Sequence, residues 1–236
     1  MAKGVPGASG IAVHEAPDGK DIQDSPAIEP PGQRPPVNAP PPDHALRREL
    51  LRKRIHLATL LVPGAVWFLP RGVAIAMLAS AVLVALVVEW ARRSLPWARY
   101  QFLRRTRVML RGHERHELAG ATHMAIAYFL ALLFFPKLIA ILAMVYNGLG
   151  DTAAAVIGRR WGRHRTRWGK SWEGAAAGFG VNLAAGMAMP EILLIGALVG
   201  AVASAALEFL PLPLDDNLRI TIGGGLAVWA AMGLGG

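Results

Sequence analysis

Residues 71–90 read RGVAIAMLASAVLVALVVEW, and from Gly72 to Val88 no charged side chain interrupts the run. An α-helix rises about 1.5 Å per residue, so roughly 20 such residues cross a hydrocarbon core about 30 Å thick. Further apolar runs occupy approximately 56–69, 118–135, 138–158, 173–189, 192–210 and 219–235. The pattern predicts an all-α fold, a polytopic membrane helix bundle of about seven transmembrane helices. The first run is short and is interrupted at Pro63-Gly64, which suits a tilted span or a re-entrant piece.

Composition agrees with this reading. The chain is 53% hydrophobic and only 17% charged, and its charges fall in a few clusters between apolar runs. A net charge of +9 would suggest nucleic acid for a soluble protein. Beside apolar spans it suits anionic lipid headgroups or phosphates instead, and no nucleic-acid partner is expected. The absence of cysteine excludes disulfides, thiol nucleophiles and cysteine-ligated zinc. Residues 1–44 are rich in Pro, Gly and Asp and have too little apolar surface to offset their ordering entropy. They are expected to form a disordered cytoplasmic tail that the chain retains, with residues 45–236 as the transmembrane catalytic domain.

Orientation follows from charge. If the runs span alternately, the tight breaks at Pro70-Arg71, Pro136-Lys137 and Pro190-Glu191 share one side, whose basic residues are only Arg71 and Lys137. The opposite side receives twenty, among them Arg52-Lys53-Arg54, Arg92-Arg93, the six from Arg159 to Lys170, and Arg219. By the positive-inside rule that side and the N-terminus are cytoplasmic. Carboxylates sort the same way, with Glu89, Asp151, Glu173, Glu208, Asp215 and Asp216 at or near cytoplasmic ends and Glu191 facing outward. A transporter would place polar groups near the bilayer midplane. Here chemistry is expected at the cytoplasmic face.

Three segments carry candidate chemistry. In Asn147-Gly148-Leu149-Gly150-Asp151-Thr152, Asn147 and Asp151 are four apart and would share a face of a continuous helix. That face offers oxygen ligands to Mg²⁺; the alternative is a structural ion pair between Asp151 and an arginine. The next segment has six basic residues among the twelve from 159 to 170, punctuated by Gly158, Gly162 and Gly169. It suits either a triphosphate or the ordinary attraction of a basic loop to headgroups. In the third, Pro211 and Pro213 break a helix after Glu208, and Asp215-Asp216-Asn217 then enter the last run as caps, as metal ligands, or as both. His113 and His116 read as solvated, Gly223-Gly224-Gly225 as a close helix contact, and Trp67, Trp90, Trp172 and Trp229 as interfacial anchors.

Taken in order, these segments resemble the CTP-dependent lipid-alcohol kinases, namely dolichol kinase, phytol kinase and the fungal type of diacylglycerol kinase. The residues that carry the likeness are Arg52-Lys53-Arg54-Ile55-His56, Arg115-His116-Glu117-Leu118-Ala119-Gly120, Gly150-Asp151 with Gly158-Arg159-Arg160-Trp161-Gly162, Lys170-Ser171-Trp172-Glu173-Gly174, and Glu208 with Asp216-Asn217. Phosphatidate cytidylyltransferases share the middle part, but their later Gly-His-Gly-Gly hallmark is absent here. The resemblance implies a nucleotide site lined by Asp151, Lys170, Glu173, Asp216 and Asn217. It implies Mg²⁺ on Asp151 and Asp216, with Asp215 adjoining. Phosphates would lie on Lys170, Arg159 and Arg160 with Asn147, Ser171 and Asn217 nearby, and Glu173 or Glu208 would act as base or orienting group. The implied partners are CTP, a lipid alcohol and the membrane lipids around them.

Overall fold

The coordinates, a computed structural model, describe residues 53–106 except Ile55, and residues 118–234. The predicted tail and the pair His113 and His116 lie outside the described residues. The described residues all belong to one compact unit.

Proline sets the helix boundaries. A residue that precedes proline is driven out of the α region by the ring's Cδ. Leu69, Leu95, Phe135 and Leu210 each precede a proline, and each ends its helix in an extended conformation, with ψ of 145°, 115°, 155° and 141°. The resulting elements are α1 (Leu61–Phe68), α2 (Arg71–Ser94), α3 (Pro96–Thr106), α4 (Gly120–Phe134), α5 (Lys137–Val145), a π-helical turn (Tyr146–Gly150), α6 (Asp151–Trp161), α7 (Trp172–Met187), α8 (Leu194–Phe209) and α9 (Asp216–Leu234). Helix therefore covers every apolar run of the sequence. It also forms at α3, inside what reads as a basic loop; proline at a first helical position is the signal for it.

Two helices are long and apolar enough to cross a membrane, Arg71–Ser94 and the continuous Lys137–Trp161. They are used differently. The first is 17% buried and turns Val73, Leu83, Val84, Val87 and Trp90 outward, whereas the second is 67% buried and supplies the core through Ile139 to Met144. An exposed apolar surface of this kind suits lipid rather than water. The glycine triplet makes the expected close contact: a Cβ at Gly225 would lie 2.6 Å from the Phe135 ring.

Neighbouring helices run antiparallel, as the contacts at their ends establish. At one end Arg71, opening α2, donates to the carbonyls of Leu132 at 3.0 Å and Phe135 at 3.1 Å, which close α4. Lys137, opening α5, donates to Trp67 and Leu69 at 2.9 and 2.8 Å, at the close of α1. The two basic residues on the sparsely charged side are thus helix C-caps. At the other end Glu89 of α2 accepts from the Ala119 amide at 2.8 Å, and Arg92 bonds to Glu89 at 2.6 Å. That second end gathers the carboxylates. Replacing Lys137 with Met removes two charged hydrogen bonds, each typically worth roughly 1.5–3 kcal/mol. A fall of several degrees in the thermal midpoint in detergent is expected, with helical content by circular dichroism unchanged at low temperature.

Candidate functional site

The site is assembled where α6 and α7 approach closely. The buried residues of α7 are Gly174, Gly178, Asn182 and Gly186, a stripe at four-residue spacing. A Cβ at Gly174 would meet the Ala154 carbonyl at 2.6 Å, and one at Gly178 would meet the Gly150 carbonyl at 3.1 Å, so only glycine lets the two backbones touch. Ser171 caps α7 by accepting from the Gly174 amide at 3.1 Å. Its hydroxyl fills the space that a Cβ at Gly158 or Gly162 would need. Those two glycines therefore serve helix packing rather than direct approach to a phosphate.

Between α6 and α7 the chain folds back on itself. Thr166 donates to the Lys170 carbonyl at 2.8 Å, and Gly169, at φ +86°, provides the left-handed residue that the turn requires. Trp168 secures the loop to α8 by donating to the Phe209 carbonyl at 2.9 Å, with its ring edge-on to that of Phe209. This arrangement aims Lys170 at Glu208 on α8, and the two side chains form an ion pair.

The result is an open cleft of about 320 Å³, with Lys53, Asp151, Arg159, Arg165, Lys170, Glu208 and Asp216 among its walls. Its carboxylates are all paired: Asp151 with Lys53, Glu208 with Lys170, and Asp216 with Arg219 one helical turn on. His56 Nε2 lies 3.3 Å from Asp151 and 3.0 Å from the Asn147 carbonyl. An unpaired charge at the end of an apolar helix is costly, and each of these carboxylates has a cation beside it.

Of the residues read from the sequence, Asp151, Arg159, Lys170, Ser171, Glu208 and Asp216 line the cleft. Others stand elsewhere. Asn147 is not part of the cleft wall: it lies in the π-helical turn before Asp151, and its side-chain amide donates to Asn217 at 3.2 Å. Asp215 is the N-cap of α9: it accepts from the Asn217 amide at 2.9 Å and from its side chain at 3.0 Å. Arg160 follows Arg159 on the same helix, points about 100° away from it, and stacks on Trp161 at 5.1 Å. Glu173 lies outside the cleft and accepts from the His164 ring at 2.7 Å.

Lys53, His56 and Arg165 were not among the residues assigned to the site from the sequence. The signal for the first two was the Arg52-Lys53-Arg54-Ile55-His56 cluster; what hid their role is their distance of about a hundred positions from Asp151. Beneath the cleft, Asn182 and Ser204 are also buried, and Asn182 Oδ1 and Ser204 Oγ have no hydrogen-bond partner among the described residues.

Over 102 residues the chain is 39% identical to a phytol kinase from Synechocystis sp.. The aligned part is 39% of this chain and 42% of that protein, so the match spans less than half of the relative's length. No family model and no solved structure matches the chain.

Among the described residues no three His, Cys, Asp or Glu side chains form a ready-made metal cage. The donors nevertheless fit Mg²⁺, which takes hard oxygen ligands and is ordinarily held by one or two carboxylates together with substrate phosphates. Asp151 and Asp216 supply that number in one cleft. The geometry separates Lys170 from Glu173. Lys170→Met should weaken binding of inorganic triphosphate about 10- to 100-fold, the loss of one charge-assisted contact. Glu173→Gln should leave it within about twofold. Isothermal titration of the purified variants checks both.

Proposed function

We propose that the chain is a lipid-alcohol kinase that transfers the terminal phosphate of CTP to the hydroxyl of a membrane lipid alcohol. The observation that carries this reading is the cleft in which four cations and three carboxylates face one another at the polar end of an otherwise apolar bundle. The similarity to a phytol kinase supports the reaction class. We further propose seven spans, a cytoplasmic N-terminus and a cleft on the cytoplasmic face of the cell membrane. The surplus of basic residues at that end supports this orientation, as does the use of Arg71 and Lys137 as helix caps at the other.

Phosphoryl transfer depends mainly on positioning and charge stabilisation. Lys170, Arg159 and Arg165 bind the phosphates, and Asp151 and Asp216 hold Mg²⁺, which when bound neutralises charge developing on the phosphate oxygens. The alcohol oxygen attacks the terminal phosphorus, the bond from that phosphorus to its bridging oxygen breaks, and CDP leaves. Glu208 takes the hydroxyl proton; its place in the cleft favours it over Glu173. The apolar outer surface of the bundle leaves the lipid tail in the bilayer. The tail is thereby remote from the chemistry, which fits polyprenol, phytol and diacylglycerol alike.

Purified protein incubated with Mg²⁺, phytol or a polyprenol, and CTP labelled on its terminal phosphate should place label in the organic phase. Asp151→Asn should abolish the transfer while retaining the folded bundle by thermal unfolding. Label released only as pyrophosphate, with a nucleotide-linked lipid formed from phosphatidate, would replace the kinase reading with cytidylyl transfer.

A further inference from the structure

The corner between α2 and α3 holds a second cationic recess, which shares no residue with the cleft. Pro96 denies Leu95 the helical conformation, and at φ −113° and ψ 115° that residue divides one helical run into two. Arg92 is buried and ties the two helices together: it donates to Glu89 at 2.6 Å, and its guanidinium lies 5.2 Å from the centre of the Phe102 ring. The bend leaves a recess of about 290 Å³ lined by Arg93, Ser94, Leu95, Pro96, Arg99 and Tyr100. Two of these six are arginines and none is a carboxylate. Glu89 lies 3.5 Å from Arg93 Nε, but it is buried and already accepts from Arg92, the Ala119 amide and the Thr122 hydroxyl. The recess therefore carries an excess of positive charge that the described residues do not balance.

Its depth is fixed by α2. That helix starts at Arg71, which caps α4 at one end of the bundle, and its 24 residues rise about 36 Å, at 1.5 Å each, to the corner. A hydrocarbon core is about 30 Å thick, so the corner stands in the headgroup layer. Trp90 and Trp97 are exposed on either side of it, at the depth that indole rings prefer. The exposed residues Leu83, Leu86, Val87 and Trp90 form a stripe at helical spacing that runs up α2 to Arg93 and Ser94. An apolar track thus leads out of the hydrocarbon directly into a pair of arginines. We propose that this recess binds an anionic phospholipid of the surrounding bilayer, with Arg93 and Arg99 on its phosphate and an acyl chain along the α2 stripe. Guanidinium groups match phosphate oxygens in geometry as well as charge. A zwitterionic headgroup would bring an ammonium for which the lining offers no carboxylate. An acidic segment of a soluble partner would satisfy the arginines but leave the stripe uncovered. The proposal rests on α2 being a membrane span and is independent of the chemistry in the cleft.

The test titrates the purified full-length chain in detergent with phosphatidylglycerol or with phosphatidylcholine of the same acyl chains, and counts bound lipid by native mass spectrometry. The first phosphatidylglycerol should bind about 10-fold more tightly than the first phosphatidylcholine, the scale expected of two basic residues near a lipid surface. Arg93→Gln combined with Arg99→Gln should remove most of that preference. Arg104→Gln, exposed on α3 but outside the recess, should leave it within about twofold. Glycerol 3-phosphate, which has the phosphate without the chains, should not displace the bound lipid. Equal affinity of the wild type for the two lipids overturns the proposal, whether or not the double variant folds. So does an unchanged preference in the folded double variant, or an equal loss in Arg104→Gln, which would mark a diffuse surface charge instead of a site. Displacement by glycerol 3-phosphate overturns the lipid as occupant in favour of a soluble phosphate ester. A chain that stays in aqueous solution without detergent overturns the span, and the lipid site with it.

Discussion

A carboxylate at the end of a membrane-embedded helix must be paired, hydrated or metal-bound, and most of the polar end of this bundle follows from how Asp151 meets that requirement. Its partner is Lys53, 98 positions earlier, in the first segment, residues 53–68, that ends with α1. That ion pair and the bonds from Lys137 at the opposite end hold the first segment against the central helix, Lys137–Trp161, and in the same register His56 meets the Asn147 carbonyl. Asn147 in turn meets Asn217, whose side chain also reaches the Gly120 carbonyl at 3.3 Å. A chain of polar contacts thus joins the first segment, the central helix, α4 and α9 around one charged centre.

The glycine stripe of α7 performs the complementary task. It brings the α7 backbone against α6, which fixes where the intervening basic loop starts and ends. With both ends held, the loop is short enough for Trp168 to reach the end of α8 and for Lys170 to reach Glu208. The cleft therefore takes Arg165 and Lys170 from the loop and its other charges from Lys53, α6, α8 and α9, while its shape depends on residues without side chains. A larger residue at Gly174 would move Arg165, Trp168 and Lys170 together.

The helices were legible in the sequence because apolar runs and prolines are local signals, and each proline acted on the residue just before it. The side chains that pair carboxylates were less legible, since pairing is a property of three-dimensional neighbours. Asp151 was readable as a charge in need of a metal or, as the alternative, of an arginine, and the cation beside it in the structure is Lys53. The π-helical turn was invisible, and so was the bond from the Asn147 side chain to Asn217, which joins residues 70 positions apart. Asp215 followed the capping alternative, as an acidic residue just before a helix ordinarily does. Arg160 and Glu173 were assigned through the resemblance, and in the structure Arg160 stacks on Trp161 while Glu173 meets His164.

The two reciprocal caps at the opposite end make two parts of the chain depend on each other. The pair α1–α2 and the pair α4–α5 are each a helical hairpin with a proline at its bend, and each bend supplies the cation that closes the other hairpin's first helix. Neither hairpin is complete by itself. Each cation thus satisfies carbonyls that lie more than sixty positions away in the chain, so the two bends depend on each other for closure and loosening either one frees a helix end in the other hairpin.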